Sequence, residues 1–218
     1  MHIHPSILSA DYANFEKELK SISSADAAHV DVMDNHFVPN LTFGLGLVES
    51  LLKVSDLPLD VHLMIENPER WAPQYAEAGA NSVTFHLEAS QDPIWLAREL
   101  RKLGAKSAIA IKPNTPVVDV KELLGEIDML LIMTVEPGFG GQPLIESTLA
   151  KISEAKKEIR ALGLDIAIQV DGGVTENNIA ELASLGANVF VAGSAVFKNP
   201  DRNAQISELR ALASPHAS

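Results

Sequence analysis

The chain has 218 residues, 46% hydrophobic and 21% charged, enough for one domain with a sizeable core. A formal net charge of -12 argues against a nucleic-acid partner, whose phosphates are held by clustered Lys and Arg. The absence of cysteine excludes disulfides and thiolate ligands, and neither a basic, apolar leader nor a membrane-length apolar run is present, so a cytoplasmic protein with no membrane partner is expected.

Short apolar runs that read as β-strands recur about every 25 residues, alternating with helical stretches. They are His4–Leu8, Ala28–Met33, Leu59–Met64, Ser82–His86, Ser107–Ile111, Met129–Val135, Asp165–Val170 and Asn188–Ala192. In the second, His29, Asp31 and Met33 are spaced two apart, so one face of one strand carries all three; in the third, His62 pairs with Met64. Of the helices, Asn67–Ala78 contains Pro73, which predicts a kink or a late start. Pro93–Leu103 is clearer, with Asp92 as N-cap, Pro93 in the first turn and Leu96, Leu100 and Leu103 as the apolar stripe. Ile145–Leu162 turns Leu149, Ile152, Ala155, Ile159 and Leu162 inward, and Lys151, Lys156, Lys157 and Arg160 outward. Gly104, Gly79-Ala80 and Gly186-Ala187 mark repeated turns from helix into strand.

Eight such units predict a single (β/α)8 (TIM) barrel over residues 1–218, with a doubly wound open sheet as the alternative. The barrel is favoured because His29 and Asp31 on the second strand, His62 on the third and Asp171 in VDGG after the seventh meet at one rim only if the sheet closes. Two imidazoles and two carboxylates suit a divalent cation, whereas burying four such groups without one is costly. His29 and Asp31 alone would read as a structural hydrogen bond on a strand; the matching His62 and Asp171 reverse that reading. Glycine motifs follow strands six, seven and eight: Gly138-Phe139-Gly140-Gly141, Gly172-Gly173 and Gly193-Ser194. They contain no Lys or Arg, so a phosphate is expected to be held by N–H groups at Gly173, Gly193 and Ser194.

The segments PSILSAD (Pro5–Asp11), HVDVMDNHFVPN (His29–Asn40), HLMI (His62–Ile65), TFHLEA (Thr84–Ala89), MTVEPGFGGQ (Met133–Gln142), VDGG (Val170–Gly173) and VAGSAVF (Val191–Phe197) together resemble the ribulose-phosphate 3-epimerase family from the first strand to the last. The resemblance implies a barrel of the ribulose-phosphate-binding type that interconverts D-ribulose 5-phosphate and D-xylulose 5-phosphate in the pentose phosphate pathway. It places one divalent metal ion (zinc, iron(II), manganese or cobalt) on His29, Asp31, His62 and Asp171, with Asp31 and Asp171 also the acid/base pair. It places substrate contacts at Ser6, His62, Gly138, Phe139, Gly140, Gly141, Asp171, Gly172, Gly173, Gly193 and Ser194, and implies a homo-oligomer, dimer or hexamer. Asn35 stands where many members have Gly, and Gln169 where Glu before VDGG is common.

The chemistry fits these residues. Inverting carbon 3 of a 2-ketose removes a proton α to a carbonyl and returns one to the opposite face, a task for two opposed carboxylates, with the enediolate charge stabilised by a divalent ion. Met33, Met64 and Met133 read from pattern alone as gap-filling core; the resemblance favours an apolar cover over the reacting carbons. Ser6 reads as a helix cap or a substrate contact, with the resemblance favouring the contact. Asp34 and His36 read equally as turn or supporting residues or as direct contacts. His86 and Lys112 stay outside the site, and His2, His4 and His216 read as solvated. A 3-epimerase of a related ketose such as D-allulose 6-phosphate would use the same residues. A metal-free lyase of the orotidine-phosphate decarboxylase type wants a Lys that Asp31-Val32-Met33-Asp34 lacks, and a non-catalytic sugar-phosphate binder would not need two opposed aspartates.

Overall fold

The computed structural model describes residues 1–216 and contains one parallel sheet of eight strands. They are β1 (His2–His4), β2 (Ala28–Met33), β3 (Leu59–Met64), β4 (Ser82–His86), β5 (Lys106–Ile111), β6 (Met129–Met133), β7 (Ala167–Asp171) and β8 (Val189–Val191). Neighbours follow chain order from β2 to β8, and β1 pairs with β8. The ring closes where the His29 N–H donates to the Pro5 carbonyl at 3.0 Å and Ser6 bridges His29 in parallel, giving the barrel and not the open sheet. Outside the strands lie α1 (Phe15–Lys20), α2 (Leu45–Val54), α3 (Pro68–Ala78), α4 (Pro93–Lys102), α5 (Leu149–Ala161), α6 (Ile179–Leu185), α7 (Ser194–Phe197) and α8 (Arg202–Ala213). A 3-10 segment, Val117–Glu126, takes the helix position between β5 and β6.

Several boundaries differ from expectation for local reasons. β1 stops before Pro5, which has no N–H for a ladder. The next residues, Ile7–Ser9, coil into a 3-10 turn capped by Ser6, whose Oγ accepts the Leu8 N–H at 3.3 Å. β7 starts two residues later and ends one residue later than predicted, so Asp171 is a strand residue in register with Met133. α3 starts at Pro68, a first-turn position where a missing N–H is no loss, and continues through Pro73 unbroken. In α4 the Asp92 cap forms as predicted, its carboxylate accepting the Trp95 N–H at 3.1 Å. Gly79 and Gly186 follow α3 and α6 with φ of 108° and 122°, a backbone that an L side chain strains against, which explains the recurring Gly-Ala punctuation.

The main core lies between the strands and the helices, joining residues such as Val30, Leu63, Phe85 and Ile109 to Leu96, Leu100, Ile152 and Leu209. Side chains on the other strand faces form separate small clusters, among them Met33, Val38 and Met64, and Ala110, Leu131, Met133 and Val135. α5 corrects two predictions. Leu162, expected inward, is 48% exposed, whereas Lys151, expected outward, is buried. The Lys151 ammonium donates to the carbonyls of Lys112 at 2.7 Å and Pro113 at 3.3 Å, and burial pushes its pKa down to about 8. Lys151→Met leaves both carbonyls without this donor and is expected to lower the unfolding free energy by about 1–3 kcal/mol. Urea denaturation at pH 7 measures it; an unchanged midpoint would show that the ammonium contributes nothing net.

Candidate active site and metal centre

The strand register assembles the site. Along β2 and β3 the pairs are His29 with Asp60, Asp31 with His62, and Met33 with Met64. The Asp31 Oδ1 atom lies 3.3 Å from His29 Nε2 and 3.2 Å from His62 Nδ1. From β7, Asp171 reaches the same point, its Oδ2 3.8 Å from His29 Nε2 and 3.5 Å from His62 Nδ1. One ligand atom from each of the four residues falls within 4.8 Å of the others, so His29, Asp31, His62 and Asp171 form a group able to hold one divalent ion.

Their electrostatics support that reading. Burial alone would push the two imidazoles down and Asp31 up. The carboxylates of Asp31 and Asp60 instead hold the His29 pKa well above the usual imidazole value, Asp171 and Asp31 raise His62, and the two histidines hold Asp31 well below the carboxylate range. His29 Nε2 is fully buried yet makes no hydrogen bond, and it points into the cluster. A buried nitrogen without a hydrogen bond, facing two carboxylates, is a donor set that a divalent cation would suit, so the residues fit the metal.

Polar residues beneath the cluster fix its ligands. His29 Nδ1 lies 2.9 Å from Asp60 Oδ2, which leaves Nε2 for the centre. Asp60, fully buried, also accepts from Ser82 Oγ at 2.7 Å and Gln169 Nε2 at 2.6 Å, and lies 2.8 Å from His4 Nδ1. His4 is therefore part of the interior, with its side chain 12% exposed, and not the solvated residue expected; the side chain of His216 lies outside the described residues. Gln169 makes its bond to Asp60 as a donor, so the amide fits beside a carboxylate. Asn35, the other departure, has φ of 60°, a conformation Asn tolerates. Ser6 does two things at once, capping its turn and donating to Asp31 Oδ2 at 2.5 Å. The Asp34 carboxylate accepts the N–H groups of His36, Phe37 and Glu66, which makes it a turn residue.

His86, left outside the site by sequence, stacks beside His62 with the two Nε2 atoms 2.9 Å apart. Asp60 was missed as well. Its signal was present: it stands two residues before His62, on the same strand face.

A cavity of about 340 Å³ opens over the cluster. Asp31 and Asp171 reach its wall with Ser6, Met33, Met64 and Met133, while His29 and His62 lie fully buried behind them. Gly138, Phe139, Gly140, Gly141, Gly172, Gly173, Gly193 and Ser194 also line it, together with Glu136, Gln142 and Thr175, and no Lys or Arg does. Gln142 Nε2 donates to the carbonyls of Glu136 at 2.7 Å and Phe139 at 2.8 Å, and Asn40 donates to the Gly138 carbonyl at 2.8 Å. These bonds fix the segment over the cavity. Packing within the protein already requires glycine at two positions: a Cβ on Gly172 would lie 2.4 Å from Val135, and one on Gly173 would lie 2.5 Å from the Leu144 backbone.

Comparison with known proteins agrees with this geometry. The profile of the Ribulose-phosphate 3 epimerase family matches residues 2–197. Proteins named ribulose-phosphate 3-epimerase are 51% identical in Mycobacterium tuberculosis (strain H37Rv), over 95% of this chain and 91% of that protein, and 45% identical in Bacillus subtilis, over 95% and 97%. The Escherichia coli K12 protein of that name is 44% identical over 95% and 94%. Among solved structures, KGPDC from Streptococcus mutans matches with a TM-score of 0.72 and 13% identity over 100% and 99% of the two chains. A mutant tryptophan synthase α-subunit from Pyrococcus furiosus matches at 0.70 and 16% over 97% of each, and these two likenesses concern the barrel alone. No helix among the described residues is long and apolar enough to cross a membrane. The closed barrel, the converging His and Asp residues and the similarity across nearly the whole chain make this an isomerase of the ribulose-phosphate 3-epimerase family.

Proposed function

We infer that the chain interconverts D-ribulose 5-phosphate and D-xylulose 5-phosphate by moving protons at C3 with Asp31 and Asp171. The observation that carries this reading is the arrival of two carboxylates, from β2 and from β7, at the wall of one cavity, with two imidazoles behind them. His29, Asp31, His62 and Asp171 would hold a divalent ion, which when bound supplies positive charge to offset the enediolate oxygens. One aspartate takes the C3 proton and leaves a planar enediolate; the other, protonated, gives a proton to the opposite face, and the reverse reaction exchanges their roles. Ser6 holds Asp31 by its hydrogen bond, which limits the orientations the carboxylate samples. Met33, Met64 and Met133 supply an apolar wall that keeps water from the carbanion. The cavity wall has no cationic side chain, so the phosphate is held by N–H groups at Gly173, Gly193 and Ser194.

Steady-state assays of D-ribulose 5-phosphate and D-allulose 6-phosphate in parallel test the substrate. The five-carbon sugar is expected to have the higher kcat/KM, and a clear preference for the six-carbon ketose would overturn this assignment.

The ionisation of the ligands sets a pH dependence. Without metal, neighbouring carboxylates keep His29 and His62 protonated above the usual imidazole pKa, and a cation must displace those protons. Zinc affinity is therefore expected to rise as pH increases through 7, with protons released on binding. Calorimetry at pH 7 in buffers of different ionisation enthalpy reads that release, and binding without it would contradict the assignment of the imidazoles.

A further inference from the structure

We propose that Glu88 and His86 are positioning residues that fix the tautomer of His62, leaving its Nδ1 free to bind the cation. The inference rests on the metal reading above and extends it to two residues outside the ligand set. His62 turns Nδ1 toward Asp31 and Asp171 and Nε2 toward His86. Nδ1 can ligate a metal only with its lone pair free, so the neutral ring carries its proton on Nε2. That proton points at His86 Nε2, 2.9 Å away, which must then accept. His86 in turn carries its proton on Nδ1 and donates it to Glu88 Oε2 at 3.1 Å. One consistent set of proton positions runs from Glu88 to the metal centre.

The far end of this relay is anchored. Glu88 Oε1 accepts the backbone N–H of Lys112 at 2.7 Å and the hydroxyl of Thr115. Both Glu88 carboxylate oxygens are thus engaged, Oε2 by His86 and Oε1 by the Lys112 N–H and the Thr115 hydroxyl. Lys151 supports the same residue by donating to the Lys112 carbonyl. His29 has a simpler partner, because Asp60 meets its Nδ1 directly.

The geometry gives the isosteric variant a definite sign. In Glu88→Gln the Lys112 N–H and the Thr115 hydroxyl both require an acceptor, so the amide oxygen takes the Oε1 place and the NH2 group faces His86 Nδ1. His86 then accepts at Nδ1 and carries its proton on Nε2, opposing the Nε2 proton of His62. The conflict is relieved only by moving the His62 proton to Nδ1, which closes the ligand position. Glu88→Ala offers no opposing donor, and water can accept from His86 at this partly exposed position. Truncation should thus do less harm than the amide.

The test uses the full-length protein stripped of metal, with zinc alone as the probe. Chelator competition gives the zinc affinity, and nitrogen-15 NMR of labelled histidine gives the tautomers. In the parent, His62 is expected to carry its proton on Nε2 and His86 on Nδ1. Glu88→Gln is expected to bind zinc about 10–100-fold more weakly, the usual scale for losing a ligand's outer partner, and to move the His86 proton to Nε2. Glu88→Ala should lose less than Glu88→Gln. Zinc binding by Glu88→Gln within about threefold of the parent, or equal losses in both variants, would overturn the relay. Should Glu88→Gln fail to fold, the parent spectrum decides alone: a His86 proton on Nε2 in the zinc-loaded protein overturns the proposal. A parent that binds zinc no better than a His29→Ala control instead removes the metal reading, and the relay with it.

Discussion

Asp171→Asn is expected to slow epimerisation by about 10²–10⁴-fold, the range that a positioned acid or base contributes. The amide keeps an oxygen facing His29 and His62, so the variant should retain its cation, which elemental analysis verifies. Hydrogen exchange in D2O gives the sharper result. With only Asp31 left to move protons, one epimer should still exchange its C3 hydrogen with solvent, its partner should not, and neither should convert. Asp31→Asn should show the opposite selectivity. An Asp171→Asn protein that holds its cation and epimerises at a rate near the parent's would end the two-carboxylate account.

Asp60→Ala is expected to cost about 3–5 kcal/mol of stability, the scale for removing one partner from a buried charged network. His4, His29, Ser82 and Gln169 all bond the lost carboxylate. For a chain of this length the loss corresponds to a Tm lower by roughly 10 °C. The contribution also has a pH signature. Burial would raise the Asp60 pKa, but the charge and hydrogen bond of His29 hold it well below 3.8. A depressed folded pKa gives stability that is complete above the unfolded value and lost as pH falls through the folded one. The gap between parent and variant, measured without metal, should therefore be widest between about pH 4 and 6.5, shrink below pH 3.8 as Asp60 gains a proton, and shrink again as pH rises above 6.5 and His29, whose pKa Asp60 raises, loses its proton. A Tm unchanged by the substitution would show that His29 is oriented by other means.

The residues that form the centre were readable because each stands on a strand with a period of two. His29 and Asp31 belong to one such face, and once the barrel was recognised, His62 and Asp171 had only one place to converge. The partners beneath them follow the same spacing: His4 before Ser6, Asp60 before His62 and Gln169 before Asp171. They escaped notice because a lone polar residue in an apolar run has no visible partner until strands far apart in sequence are joined; Gln169 and Asp60 are 109 residues apart. His86 was hidden for the same reason, since its contact with His62 depends on how β3 and β4 turn their side chains. Lys151 shows a different limit. Helical periodicity placed it outward, but the carbonyls of Lys112 and Pro113 accept its ammonium and hold it in. The first strand starts two residues and ends four residues before its predicted bounds, because Pro5 withholds an N–H, a local effect that hydrophobic pattern does not weigh.

The most direct test of the metal centre is elemental analysis of protein purified without added metal, read beside its specific activity before and after chelation. We expect about one divalent transition ion per chain, activity that falls in step with its removal, and recovery when a single kind of ion is restored. A fully active preparation holding far less than one equivalent would contradict the assignment of His29, Asp31, His62 and Asp171 as its ligands.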